Sequence, residues 1–148
     1  NLLGSVWLQR SLDNDYWFQK VDWYIDHTEE HDLVIVGGGD YWKDYVLYYT
    51  RADVLALEDF FTRHSWNDEQ ALADLDRLIG RYLDRGHRVF VSSDVLKLNF
   101  ETATPTYSPQ ELSSLEQFRL HYQNLWSCHP IPVNDTVCVF VVRPGQSR

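Results

Sequence analysis

Methionine is absent from this chain, and cysteine, proline and glycine are scarce, with 2 Cys, 5 Pro and 7 Gly in 148 residues. Two thiols cannot build a disulfide scaffold, and a chain of this length buries the core of one domain without covalent staples. No apolar run approaches the roughly 20 residues that cross a bilayer, so the stretch reads as soluble, which is compatible with a membrane segment upstream. The missing Met, with Asn at position 1, leads us to expect that a tag, a leader or, by preference, a larger protein precedes Asn1. There is no run of Lys or Arg either. With 22 acids against 13 bases the net charge is -9, which opposes binding to a phosphate backbone and excludes nucleic acid as an expected partner.

Catalytic signatures are missing too. The sequence holds no GxSxG, no P-loop and no CxxC, and its histidines (His27, His31, His64, His87, His121, His129) follow no metal-ligand spacing such as HExxH. We assign no catalytic group, metal or cofactor. Ser92, Ser93 and Asp94 fall together after a predicted strand, but no neighbouring motif makes either serine a nucleophile. A hydrophobic fraction of 44% and an aromatic fraction of 15% exclude a disordered tail, and there is no internal repeat or low-complexity segment.

What is present begins with Leu33, Val34, Ile35 and Val36. Four uninterrupted apolar residues suit a strand covered on both faces, as in a parallel sheet. Gly37, Gly38 and Gly39 then allow a reversal and a close approach to the backbone. Asp40 is placed to cap a helix running to about Thr50, and a second apolar strand follows over 54–57.

The other elements follow from periodicity and capping. Asp13 can cap a first helix with apolar positions Trp17, Val21, Tyr24, Ile25 and Thr28. Residues 60–66 read as an irregular connection. Asn67, with Gln70 three residues on, opens a helix striped by Leu72, Leu75, Leu78, Ile79, Tyr82 and Leu83 and ended by Gly86. Residues 88–93 form a third strand. The loop over 94–107 is long enough to serve as a lid or an interaction surface. Ser108, Pro109 and Glu111 spell a capping box for a helix that buries Leu112, Leu115, Phe118, Tyr122 and Leu125. Residues 128–133 and 137–142 read as an antiparallel hairpin at the sheet edge. A two-residue turn at Asn134 and Asp135 would set Cys138 opposite Ile131, a register that favours two buried thiols over a disulfide. The fold class is α/β: a single three-layer, Rossmann-like domain with a mostly parallel sheet and a C-terminal antiparallel hairpin.

In such a sheet ligands bind beyond the carboxyl ends of the strands. The candidate ligand-binding residues there are Gly37, Gly38, Gly39, Asp40, Trp42, Glu58, Asp59, Ser93 and Asp94. Glu58 lies 21 residues after Gly37, near the spacing of a ribose-binding acid. However, Trp42 occupies the place of the third glycine, and Asp40 sets a negative charge where pyrophosphate would lie, so a dinucleotide is disfavoured. The four acids could hold a divalent cation or bond sugar hydroxyls beside the aromatic rings. The more economical reading is one cap and three ordinary strand-end carboxylates. On the helix after the glycines Tyr41, Tyr45, Tyr48 and Tyr49 share one face, for which packing on the sheet is the default.

Asp32 before an apolar strand, the glycine turn followed by Trp42, then Tyr48, Tyr49, Arg51 and the Val54-Leu55-Ala56-Leu57 run form a recognisable pattern. It resembles the soluble C-terminal domain of multi-pass, polyprenol-phosphate-sugar-dependent glycosyltransferases, which are related to protein mannosyltransferases. The Leu83-Asp84-Arg85-Gly86-His87-Arg88-Val89-Phe90-Val91 segment fits the same pattern, and the likeness covers about residues 15 to 100. It implies a non-catalytic domain on the extracytoplasmic side, because the family's catalytic acid lies between membrane helices. Its partners would be the membrane-embedded portion of the same protein and a sugar or small polar ligand, and its role support, acceptor contact or partner docking. The rival expectation is a free-standing, cytoplasmic α/β enzyme or ligand-binding module using the acidic, aromatic cleft. A third is an interaction domain that presents the loop over 94–107.

Overall fold

A computed structural model describes residues 16–38, 40–96, 107–132 and 135–145. Asp13, Gly39, Asn134, most of the loop expected over 94–107 and the side chains of residues 16–18 and 40–42 lie outside that description. The elements are α1 (Tyr16–His27), β1 (Leu33–Val36), α2 (Asp40–Tyr49), β2 (Asp53–Ala56), α3 (Leu57–Arg63), α4 (Asp68–Asp84), β3 (Val89–Val91), α5 (Ser93–Leu96), α6 (Pro109–Tyr122), β4 (Trp126–Ile131) and β5 (Asp135–Phe140).

One five-stranded sheet runs in the order β2-β1-β3-β5-β4. β1 pairs in parallel with β2 and β3, β3 pairs antiparallel with β5, and β5 antiparallel with β4. All four residues of β1 are buried, as an apolar strand in the parallel part of a covered sheet must be. Each contributes about 1.5–3 kcal/mol on burial, less what the unfolded chain already hides. Alternate residues point to opposite layers. Leu33 and Ile35 meet Leu57 and Phe61 of α3, Leu75 and Ile79 of α4, and Leu115 and Phe118 of α6. Val34 and Val36 meet Val21 and Tyr24 of α1 and Val46 of α2. Helices therefore cover both faces, the outcome expected when the chain steps from β1 to β2 and returns past β1 to β3 with crossovers of one hand.

The capping signals form as expected. Asn67 accepts from the Gln70 N–H at 3.2 Å, and Ser108 and Glu111 complete a reciprocal capping box with Pro109 in the first turn. Gly86 takes φ 80 just past α4, a left-handed conformation that favours glycine.

Several boundaries differ from expectation. The second strand stops at Ala56, and residues 57–63, expected as strand end and irregular connection, form α3, held because Leu57 and Phe61, one turn apart, are both fully buried. The third strand ends at Val91 and the chain turns into α5 at Ser93. In α1 the stripe narrows: Val21 and Tyr24 are fully buried whereas Ile25 is 38% exposed. The hairpin register also differs. Ile131 faces Asp135, so three residues join the strands and Cys128 stands directly opposite Cys138, with which it forms a disulfide. The expectation of two buried thiols fails because the turn is one residue longer than assumed and begins earlier.

At the opposite end of the parallel strands, Asp32 clasps β1 to β3. Its carboxylate accepts from the Arg88 N–H at 2.7 Å and from Arg88 Nη2 at 2.7 Å, and also from the Glu29 N–H at 2.9 Å. Asp32 is thus a structural fastening, 2% exposed, at the edge remote from the candidate site.

Candidate functional site

Because β2 and β3 flank β1 on opposite sides, the crevice between the carboxyl ends of β1 and β3 is the topological switch point, where open α/β sheets bind ligands. Gly37 leaves β1 here, and Ser92, Ser93 and Asp94 leave β3. The protein's own groups occupy the position. The Gly37 N–H donates to Asp94 Oδ2 at 2.7 Å, and Ser92 Oγ donates to Asp94 Oδ1. A Cβ on Gly37 would lie 3.0 Å from Asp94 Oδ2 and 3.2 Å from the Tyr107 hydroxyl, so the glycine is needed for this close packing. On the other side of the turn the Glu58 N–H donates to the Gly37 carbonyl at 2.8 Å. Gly38, at φ 153, lies so close to Glu58 that any side chain would collide with it. The backbone donor that would face a phosphate is thus already spent on a carboxylate.

Next to this turn lies a charged cluster that joins α1 to the sheet. Lys20 of α1 donates from Nζ to Ser93 Oγ at 2.9 Å and stands 3.0 Å from Asp135 Oδ2 of β5. Lys20, Asp135 and Ser93 are only 3%, 4% and 5% exposed. An ion pair this deep survives only when its remaining polar groups are satisfied. Asp135 Oδ1 accepts from the Thr136 N–H at 2.9 Å, and Ser93 and Lys20 supply the other partners. Burial pushes the Asp135 carboxyl up, but the Ser93 hydroxyl, the Lys20 charge and hydrogen bond and the Thr136 N–H outweigh it and hold it below the usual carboxylate range. Asp94 goes the other way. Burial raises it, and the Lys20 charge with the N–H groups of Gly37, Asp94 and Val95 offsets only part of that. Tyr24, fully buried nearby, is pushed well up by burial and then by the charges of Asp94 and Asp135, so it stays a neutral phenol.

The pairing of Ser93 with Lys20 has the composition of a nucleophile and its base, but the geometry opposes that use. The ammonium is engaged by Asp135, and both side chains are closed to solvent. The cluster ties α1, the β3–α5 turn and β5 together and has the properties of a fastening.

The expected site residues therefore divide. Gly37, Gly38, Glu58, Ser93 and Asp94 do come together, with Glu58 in the first turn of α3 and not at a strand end. Asp59 points away and pairs with Lys43 at 3.1 Å on the surface, also from the first turn of α3. Gly39 and the side chains of Asp40 and Trp42 lie outside the described residues. Lys20, Tyr24 and Asp135 were not foreseen. A signal existed for the first two: Lys20 lies four residues before Tyr24 and next to Val21, on the buried stripe of its helix.

Of the tyrosines expected to pack on the sheet from α2, Tyr45 is half-buried against the core, Tyr48 and Tyr49 are exposed, and the Tyr41 side chain lies outside the described residues. Val46 is its fully buried contact, whereas Leu47 is 59% and Tyr48 82% exposed. Tyr45, Tyr48 and Tyr49 form an aromatic cluster at its C-terminal end, with ring centroids 5.7 and 5.0 Å apart. Only one stripe of a ten-residue helix can face the sheet, and Val46, with Tyr45 at its edge, takes it among the described side chains.

Among the described residues no group of His, Cys, Asp and Glu is arranged to hold a metal ion, and no helix is long and apolar enough to cross a membrane. Comparison with family models, with curated proteins and with solved structures finds no match to this chain.

Proposed function

We propose that this chain is a non-catalytic soluble domain of a multi-pass, glycosyltransferase-like membrane protein, lying on the extracytoplasmic side and serving support, acceptor contact or partner docking. The observation that carries the non-catalytic part is the closed switch point. Asp94 fills the Gly37 N–H and Glu58 covers Gly38, where an α/β enzyme of this strand order would admit its substrate. The Cys128–Cys138 disulfide supports an oxidising compartment, in agreement with the extracytoplasmic side. The pattern from Asp32 to Leu57 supplies the likeness to the glycosyltransferase domain.

The protein can be tested in its native cells with an antibody against this domain. The reading expects the antigen in the membrane fraction after alkaline carbonate washing, and cleavable by protease added outside intact spheroplasts. Antigen in the soluble cytoplasmic fraction would overturn it. The rival, a ligand-binding module using the strand-end cleft, expects millimolar nucleotide, sugar or divalent cation to raise the melting temperature, since a ligand held only by the native state stabilises it. A flat response supports the closed site.

A further inference from the structure

The chain carries a net charge of -9, yet one flank of α4 is basic. Arg77, Arg81 and Arg85 recur every fourth residue and so share a helix face. Arg77 and Arg81 line a cavity of about 590 Å³, to which α3 contributes His64 and the segment after β5 contributes Arg143. Arginines in a last helical turn are favoured by the helix dipole, which accounts for Arg81 and Arg85 but not for cations arriving from two other elements.

Those two cations are placed by built contacts. His64 has acceptors on both ring nitrogens, the Phe60 carbonyl at 2.8 Å from Nδ1 and Asp74 Oδ2 at 2.8 Å from Nε2. A ring placed between two acceptors is favoured in its doubly protonated form. The Phe60 carbonyl and then Asp74 accordingly raise its pKa. The Arg143 guanidinium lies flat on α4 where Gly80 leaves room, since a Cβ there would be 3.2 Å from both Nε and Nη2. Its Nη2 is fixed by Asp84 at 2.9 Å. Asp74 serves His64 and Arg77, Asp84 serves Arg143, and Arg81 has no carboxylate partner among the described residues. Three guanidiniums against two carboxylates leave a positive charge in excess around one concavity, and His64 adds to it when protonated.

We propose that this cavity is a binding site for a phosphate dianion, free or carried on a larger molecule, with Arg81 as its central ligand and His64, Arg77 and Arg143 as its walls. A guanidinium presents two parallel N–H donors to phosphate oxygens, and an unpaired one gives up no existing salt bridge on binding. Arg81 also borders a second cavity of about 310 Å³ lined by His31, Asp53, Tyr82, Arg85 and His87, a mixed polar lining that leaves room for the remainder of a phosphorylated molecule. The site stands on the opposite side of the sheet from Lys20 and is independent of the role proposed above.

Inorganic phosphate is the first probe, titrated into the chain at pH 7 and followed by amide chemical shifts at constant ionic strength, with chloride as control. The expected result is saturable binding with shifts centred on His64, Gly80 and Arg143. Arg81→Gln should weaken binding at least tenfold with an unchanged melting temperature, while Arg51→Gln, elsewhere on the surface, has no effect. A second arm sediments the chain with phosphatidylcholine vesicles with and without phosphatidic acid, whose headgroup is a phosphomonoester. Binding only to the anionic vesicles, lost in Arg81→Gln, would assign the phosphate to a lipid headgroup. No saturation in either arm, the same response to chloride, or undiminished binding by Arg81→Gln would overturn the proposal.

Discussion

Replacing Lys20 with methionine keeps the length of the side chain and removes its charge, leaving Asp135 buried beside Ser93 without a counter-ion. Breaking one partner out of a buried ion pair costs about 3–5 kcal/mol, a large share of the roughly 5–15 kcal/mol that holds a domain together. With a urea slope of about 2 kcal/mol/M, the unfolding midpoint should fall by about 2 M while the slope stays constant. The cost should be mainly that of the stranded carboxylate, so adding Asp135→Asn to Lys20→Met should recover more than half of it. The acid limb separates this account from simple loss of packing. Asp135 titrates below its ordinary value in the folded protein, so its contribution is complete above the unfolded pKa and disappears as pH falls through the folded one. In Lys20→Met that acid-side loss should shrink, because the Lys20 contribution to the depression is gone. A midpoint change worth less than about 1 kcal/mol, or a double variant no better than the single one, would refute the view that this cluster fastens the sheet to α1.

Other consequences can be checked on the same purified chain. Asp94 is raised in the folded state, so the sign is reversed: its contribution is complete below the unfolded pKa and is lost as pH rises through the folded pKa; Asp94→Asn should remove that decline from a stability profile measured between pH 4 and 8 by about one carboxylate's worth. Reducing the Cys128–Cys138 bond, which closes a loop with a sequence separation of 10, should cost about 2–3 kcal/mol by denaturant titration with and without dithiothreitol; an unchanged midpoint would count against the paired register. Gly38→Ala should destabilise by about 1–3 kcal/mol, since its backbone is one that side chains rarely adopt and Glu58 leaves no space; a neutral result in thermal melts would mean that the turn is open.

How much of this was legible in the sequence depended on whether the signal was local. The β1 run, the Asn67 cap and the capping box at Ser108 are each decided within a few residues, and the structure forms them as read. Three layers followed from alternating helices and apolar strands, which leave few arrangements open. Failures occurred where a distant partner decided. Leu57 continues an apolar run and so reads as strand, yet with Phe61 it faces α4 and α6, which makes helix the better way to bury both. The pairing of Cys128 with Cys138 turned on one residue of loop length, a quantity that Asn and Asp propensities do not fix. Of the candidate site, the convergence of Gly37, Gly38, Glu58, Ser93 and Asp94 followed from topology alone. Its closure did not, because Asp94 as a ligand-holding acid and Asp94 as an internal acceptor have the same one-dimensional pattern.

The closed crevice and the basic cavity lead to one physical argument about where this domain can act. A strand-end turn exposes backbone N–H groups that attract anions, and here the chain supplies its own anion in Asp94. That carboxylate is half-buried and raised, a costly arrangement, offset in part by the charge of Lys20, which is itself fixed by Asp135. An external ligand at Gly37 would have to displace a half-buried carboxylate that already holds the Gly37 N–H and the Ser92 hydroxyl, and would disturb the Lys20 charge that offsets it. At α4 the opposite holds. The side chains of Arg77 and Arg143 are 77% and 41% exposed, and Arg81 is unpaired among the described residues, so an anion arriving there strands no buried charge. Recognition on the outer surface of the helices, away from the strand ends, is the arrangement that this distribution of charge permits at least cost.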